Sequence, residues 1–287
     1  MLPRLLTRRK KSRGFTLVEM ITVIVLLGIV AGMLTPFILS AMQAYVASKA
    51  RAQLVGKGRL AIERLSREVR QAVPNSLSVL GGGTGIEFAR ARAGGRYVER
   101  FEDFGTEFSR MNYRFRKNAN LANLYTTYAE NADGSRLSFS ANDVLVIGNT
   151  SPAILQAGTS AVALTGIANT DAIADGTANG QILTFGGHQF LVESPGKHFS
   201  IVDQTIEVGL VGSDLRWHTG NGLTGYNGAV NYGAGDPALV DGAGLTFTYS
   251  PGTPQSTGVL RVDLQLTDVT SSETIRLYHE IHVRNTP

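Results

Sequence analysis

From Met20 to Ser48 the chain carries no charged side chain. Such a run is longer than the ~20 apolar residues a helix needs to cross a bilayer. The fourteen residues at the N-terminus hold six cations (Arg4, Arg8, Arg9, Lys10, Lys11 and Arg13) and no acid. Basic residues ahead of an apolar run keep that end of a span on the cytoplasmic side. One residue breaks the pattern. Glu19 stands within the first turns of the apolar segment, where a carboxylate is costly and needs a partner or a function. The alternative for Glu19 is a side chain that snorkels to the membrane edge.

The junction Arg13-Gly14-Phe15-Thr16-Leu17-Val18-Glu19 resembles the type IV pilins and their relatives, the pseudopilins of type II secretion. That family has a short basic leader, a glycine, and a phenylalanine-led apolar helix with glutamate as its fifth residue. The resemblance implies cleavage by a membrane prepilin peptidase after Gly14 and methylation of the new N-terminus at Phe15. It also implies an assembly role for Glu19. A proline about three turns beyond the glutamate is a further family habit, and Pro36 fits that place as a helix kink. An ordinary signal anchor would share the basic flank and the apolar run, but explains neither Glu19 nor the Gly-Phe junction.

Cleavage would leave a free amine on Phe15 in apolar surroundings, close to a carboxylate in the same condition. Each alone is expensive to desolvate. A carboxylate on one subunit and the amine of its neighbour compensate each other and fix the axial register.

The sequence pI of 9.4 raises the question of nucleic acid. Six of the 27 basic residues lie in the leader, however, and 21 then face 23 acidic ones. The positive balance belongs to the targeting segment, and no nucleic-acid partner is expected. The chain has no cysteine, which excludes disulfides and thiolate metal sites.

The pattern divides the chain into a leader (1–14), one long helix (15–73) and a β-rich domain (74–287). Within the helix, 15–45 is apolar all round and reads as the span. The segment 46–73 is amphipathic, with Ile62, Leu65, Val69 and Ala72 recurring at helical spacing. Gly28 and Gly32 form a small-xxx-small pair. Gly56 and Gly58 weaken the middle of the helix, and Pro74-Asn75 ends it.

Beyond Pro74, short alternating runs between Gly, Asn, Asp and Pro clusters read as strands. They are Ser76–Leu80, Ile86–Ala91, Arg96–Phe101, Leu137–Phe139, Val144–Ile147, Ile182–Phe185, Gln189–Glu193, Phe199–Val202 and Thr205–Leu210. Leu245–Tyr249, Val259–Leu266 and Thr274–Val283 complete the set. Ala93-Gly94-Gly95 reads as a hairpin turn. In Val259–Leu266 the even positions are all Leu or Val and the odd ones mostly polar, so one face is buried. The expected fold class is α+β: a long N-terminal helix, membrane-spanning then amphipathic, packed on an antiparallel β-sheet in the type IV pilin-like manner. Ser151–Gly180 and His218–Gly244 read as loops, the latter with Tyr226 and Tyr232, and are candidate contact surfaces.

Several later strings resemble minor pilins of the MSHA type (mannose-sensitive haemagglutinin pilus), notably the MshO-like component. They are Arg67–Ser76, His188–Asp203 with its Glu-Ser-Pro-Gly-Lys-His-Phe core, Leu245–Gly252, and the closing His-Glu-Ile-His-Val-Arg-Asn from His279. Relatives often carry a cysteine near the positions of Glu207–Gly209 and another near Ala243–Leu245, and this chain has neither.

No catalytic constellation stands out, so the chain is not read as an enzyme and no cofactor is expected. Gly-x-Ser-x-Gly and His-Glu-x-x-His are missing. His279 and His282 would point to opposite faces of a strand, while His188 and His198 stand alone. Gly81–Gly85 resembles a phosphate loop without the Gly-Lys-Ser/Thr that completes one, and reads as a flexible turn. Asp133 and Asp143 lack the ligand density that calcium needs.

The resemblance implies a minor pilin that helps assemble or prime an MSHA-type pilus, or alternatively a minor pseudopilin of a type II secretion system. Its implied partners are sister minor and major pilins, prepilin peptidase, the inner-membrane assembly platform and inner-membrane lipid. The implied location is a single pass through the bacterial inner membrane with a periplasmic C-terminal domain, then the pilus or pseudopilus. A membrane-anchored adhesive module is a reading from another class.

Overall fold

The computed structural model describes residues 14–97, 115, 117, 119–131, 136–170, 180–252 and 256–284. The basic leader, Asp133 and the end of the expected strand Arg96–Phe101 lie outside them. The chain divides into two units, Met1–Arg51 and Ala52–Pro287.

Helix α1 (Leu17–Arg70) begins in the first unit and ends in the second, uninterrupted at Pro36 or at Gly56 and Gly58. In the first unit its large apolar residues are all exposed, Leu26, Leu27 and Phe37 among them. In the second unit the helix carries one buried stripe: Leu54, Gly58, Ala61, Leu65, Val69, then Ala72 just past its end. Gly58 belongs to this stripe because a Cβ there would collide with Leu277 Cδ1 and lie 3.1 Å from Leu266 Cδ1. The residue that weakens helix propensity is the one that lets the helix approach the sheet. Leu65 is fully enclosed, and truncation to alanine is expected to cost ~2–5 kcal/mol.

The strands that follow are β1 (Ser78–Leu80), β2 (Gly85–Tyr97), β3 (Asn120–Asn131) and β4 (Val144–Ile147). After the short helix α2 (Pro152–Gln156) come β5 (Ala161–Thr170), β6 (Gly180–Gln189), β7 (His198–Val211), β8 (Asp214–Asn221) and β9 (Ala238–Val240). These nine form one sheet in the order β1-β2-β3-β6-β5-β4-β7-β8-β9, and β2 also pairs with β7. A second sheet holds β10 (Ala243–Ser250), β11 (Gly258–Thr267) and β12 (Thr274–Val283). Every pairing is antiparallel. This is the α+β arrangement expected, a long N-terminal helix on antiparallel sheet.

The extra β2–β7 pairing closes β2, β3, β6, β5, β4 and β7 into a six-stranded ring. It encloses its own core, with Phe190, Leu124, Leu145, Leu183 and Ile201 fully buried. Closure leaves these strands no open edge within the ring. The other halves of β2 and β7 turn Ile86, Phe88, Ile206 and Val208 toward a second core. That core also takes the α1 stripe, Trp217 of β8, and the inner face of the second sheet through Phe247, Leu260, Val262 and Leu264. Arg64 lies over the Trp217 ring at 4.4 Å from its centroid, and Lys57 pairs with Asp241 at 3.5 Å.

Several expectations are corrected. Ala93-Gly94-Gly95 is no hairpin but lies in the C-terminal half of β2, paired with β3 on one side and β7 on the other. A Cβ on Gly94 would lie 3.1 Å from the Phe199 carbonyl, so small residues suit this doubly flanked stretch. Phe199–Val202 and Thr205–Leu210 are a single strand. Leu137–Phe139 and most of Gln189–Glu193 are not strands, and β3 and β8 were not anticipated. The Ser151–Gly180 stretch contains α2 and β5 rather than loop alone. The glycines at 81–83 form a tight 3-10 turn with positive φ at all three.

Candidate functional site: the N-terminal helix

Thr16 caps α1. Its Oγ1 accepts the Glu19 backbone N–H at 3.2 Å, and its carbonyl accepts the Met20 N–H at 3.2 Å. With Leu17 as the first helical residue, Glu19 is the third. Thr-x-x-Glu is the capping-box sequence. A carboxylate in the first turn also faces the positive end of the helix dipole. The Glu19 side chain is exposed, and no described residue pairs with its carboxylate.

Three hydroxyls of the apolar segment donate to carbonyls of the helix itself. Thr22 donates to the Glu19 carbonyl (2.9 Å), Thr35 to Ala31 (2.7 Å) and Ser40 to Phe37 (3.0 Å). Pro36 has no N–H, so the Gly32 carbonyl loses its regular donor. Gly28 and Gly32 face open space, and a Cβ on either would touch nothing within 4 Å. The most apolar 18-residue window of α1 is entirely unburied. The helix of the first unit therefore presents an exposed apolar surface with one charged group near its start, among the described residues.

Residues 9–35 match the family model described as the prokaryotic N-terminal methylation motif. The chain carries a type IV pilin-like prepilin signal. The match covers the basic residues from Arg9, the Gly14-Phe15 junction and Glu19, and stops just short of Pro36. Such a signal marks a substrate of prepilin peptidase, a single membrane anchor and assembly with other pilins. No curated protein and no solved structure matches the chain.

The β domain holds a second group of carboxylates that sequence reasoning missed. Glu87 on β2 and Glu207 on β7 are direct cross-strand partners, both fully buried. They lie on the face opposite Ile86 and Val208, where alternation alone would put solvent. The glycine-rich segment after β8 covers them instead. Asn227 N–H and Gly228 N–H donate to Glu87 at 2.9 and 3.1 Å, joined by the Ser78 hydroxyl at 3.3 Å and the Gln156 amide at 3.4 Å. Asn231 gives Glu207 both its backbone N–H (2.9 Å) and its side-chain amide (2.7 Å). Burial pushes the Glu87 carboxyl above the usual range. The Asn227 and Gly228 amides pull the other way, and the neighbouring Glu207 charge adds to the rise.

The two tyrosines of this segment are buried, contrary to the expectation of an open contact surface. Tyr226 donates its hydroxyl to the Ser76 carbonyl. Tyr232 lies where the cross-strand pair Gly85 and Gly209 leaves a slot, since a Cβ on either would collide with its ring.

The remaining candidates are structural. Asp143 is buried and holds Arg92 through Nε at 2.8 Å and the Ser140 N–H at 2.7 Å. Arg90 joins Glu68 of α1 to Asp203 of β7. His188 sits edge-on to Phe190. His198 uses its backbone N–H on Ser194 Oγ at 3.0 Å. His279 and His282 stand opposite Val262 and Val259, on opposite faces of β12. Among the described residues no three His, Asp or Glu side chains converge as a metal site would require.

Proposed function

We propose that this chain is a minor pilin of an MSHA-type type IV pilus. Residues 1–14 are its leader, 15–45 its membrane span, 46–73 the amphipathic continuation and 74–287 a periplasmic domain. Prepilin peptidase cuts after Gly14, and the Phe15 amine is methylated. Glu19 then receives the amine of a neighbouring subunit, and Pro36 loosens the helix where it must bend during packing. The role is structural, in priming or assembly at the inner-membrane platform alongside sister minor and major pilins. No catalytic step is assigned to the chain.

The observation that carries this reading is the methylation-motif match on a helix whose most apolar window is unburied among the described residues. After cleavage, the new amine would sit at the positive end of the helix dipole. A carboxylate from the next subunit relieves that charge, and the amine relieves Glu19. The same signal serves pseudopilins of type II secretion; linkage of the gene to a secretion cluster rather than a pilus cluster would move the assignment there.

Mass spectrometry of the N-terminus after expression with a prepilin peptidase tests the reading. The expected species begins at N-methylated Phe15. Retention of residues 1–14 under competent processing would reduce the chain to a plain membrane anchor bearing a β domain.

A further inference from the structure

The edges of the two sheets differ. The nine-stranded sheet ends in β1 and β9, strands of three residues each. Short edges are a common protection against unwanted strand pairing. The outer edge of β10 is backed by the 3-10 turn, where a Cβ on Gly83 would lie 3.3 Å from the Phe247 carbonyl. β12 has no such protection. It is ten residues long, free of proline, and in unbroken register with β11 from Thr274 to Val283. Among the described residues no strand pairs with its other side. Its outward charges do not guard that edge, because they turn back onto β11. Arg276 Nε donates to Asp263 at 2.7 Å, and Arg261 Nε donates to Glu280 at 3.0 Å.

Between β12 and α1 lies a groove of ≈ 770 Å³. Leu277 and His279 form its sheet side, and Ile62 gives its helix side an apolar centre. The rest of the helix side is cationic. Arg59, Arg67 and Arg70 line it, all three exposed. Glu63 is the acid among them, and it pairs with Arg67 at 3.6 Å. Arg59 and Arg70 have no ion-pair partner among the described residues. Beyond Arg70 the groove meets a second hollow of ≈ 570 Å³, which shares Arg70 and Gln71 and adds Arg92 and Arg284. No Asp or Glu lines that hollow. This positive surface stands out because acids outnumber Lys and Arg in the chain beyond the leader.

We propose that this groove receives an extended acidic segment of a different protein chain, which adds to β12 as the fourth strand of the second sheet. In such an addition, main-chain hydrogen bonds give affinity and alternate side chains give specificity. The spacing of the arginines defines the segment. Arg67 and Arg70 stand ~12 and ~16 Å beyond Arg59 along α1, at ~1.5 Å per residue. Strand residues four apart share a face and lie ~13 Å apart. The segment therefore carries acids at i and i+4 toward α1, with an apolar residue at i+2 over Ile62 and Leu277. A second copy of β12 does not meet this description, since its α1-facing row of Ile275, Leu277, His279, Ile281 and Val283 has no acid. Nor does it suit the topology. α1 lies along β12 from Gly58 at Leu277 to Arg70 in the hollow that Arg284 lines. Symmetric antiparallel pairing of two β12 edges would run two α1 helices in opposite directions, which a shared membrane forbids; this second exclusion rests on the pilin reading.

The test uses the full-length chain in a neutral detergent at low salt. The probe is the capped, fluorescently labelled peptide Thr-Glu-Thr-Val-Thr-Glu-Thr, whose pattern reads the same in both directions. Its controls are the shuffled peptide Thr-Thr-Glu-Glu-Val-Thr-Thr, of equal charge, and the lysine counterpart Thr-Lys-Thr-Val-Thr-Lys-Thr. Anisotropy is expected to show the patterned peptide binding about tenfold or more tighter than either control. The leader's cations attract both acidic peptides alike, so only the groove separates them. Arg59→Glu combined with Arg70→Glu is expected to abolish that preference and to admit the lysine peptide. Bound peptide should also slow amide hydrogen exchange across Thr274–Val283 and leave β10 unchanged. Equal binding of the patterned and shuffled peptides overturns the proposal. So does indifference to the charge reversal, or binding that leaves exchange in β12 unaltered. A chain that self-associates through this edge, seen in sedimentation as a dimer that the patterned peptide dissociates, overturns it in favour of a second copy. None of these measurements depends on removal of residues 1–14, so this inference and the pilin assignment can fail separately.

Discussion

Glu19 and the Glu87–Glu207 pair are carboxylates in apolar surroundings, and the chain treats them in opposite ways. Around Glu87 and Glu207 it supplies every partner itself: backbone amides, an asparagine side chain, a hydroxyl and a glutamine. Around Glu19 the described residues supply the cap geometry of Thr16 and no partner for the carboxylate. A buried charge is kept when its hydrogen bonds are made, and its removal exposes the groups that made them. The internal pair thus belongs to the stability of the domain. Glu19, on the function proposed above, awaits a partner from a neighbouring subunit.

The sharpest way to break this comparison is Glu19→Ala. Incorporation into filaments is expected to be lost, with membrane insertion and the unfolding midpoint of the β domain unchanged. A mutant that assembles normally would remove Glu19 from the assembly mechanism. Glu207→Ala should do the reverse, lowering unfolding stability by ~2–4 kcal/mol because two Asn231 donors lose a buried charged acceptor. Denaturant titration reads this loss. Asn231→Ala should cost less, ~1.5–3 kcal/mol, since the backbone N–H of residue 231 still reaches Glu207.

The smallest effect is the pH dependence of Glu87. Its folded pKa is raised above the unfolded 4.5, so the folded state holds its proton to higher pH. The group therefore penalises folding above its folded pKa. The penalty is relieved as pH falls through that value and is gone below the unfolded one. The groups facing it are Glu207, Ser78, Gln156, the 227–228 amides and Tyr226, with no cation among those named. Relative to Glu87→Gln, which cannot titrate, the native chain should gain stability on mild acidification. A relative loss would reverse the sign and mean that the loop amides outweigh burial.

What the sequence made legible was local. Helix α1 announced itself through an uncharged run and then a stripe at 3–4 spacing. The strands β10, β11 and β12 were readable because Leu260, Val262, Leu264 and Leu266 alternate with exposed or half-exposed residues. The N-terminal signal was plain from seven residues. The ring closure was not legible, since it depends on Ala93–Arg96 pairing on both sides, and Ala-Gly-Gly in isolation looks like a turn. β5 escaped because Ala, Thr, Gly and Asn give it few large residues to mark a face. The paired glutamates were hidden by their own regularity. An acid between Ile86 and Phe88, and another between Ile206 and Val208, look like the wet side of a strand until a distant loop is seen to cover them.

The end of α1 is sewn directly into β2. Ala72 bridges Arg90, Val73 N–H donates to the Ala89 carbonyl at 2.8 Å, and Ala91 N–H to the Gln71 carbonyl at 2.8 Å. Arg90 then ties Glu68 to Asp203, reaching β7. Tension applied through the helix would thus enter the fold at its longest strand pair rather than at a pliant linker. With no disulfide to arrest extension, the domain's mechanical strength rests on the simultaneous rupture of that ladder, and α1 acts as a tether fixed to the part of the molecule slowest to give way.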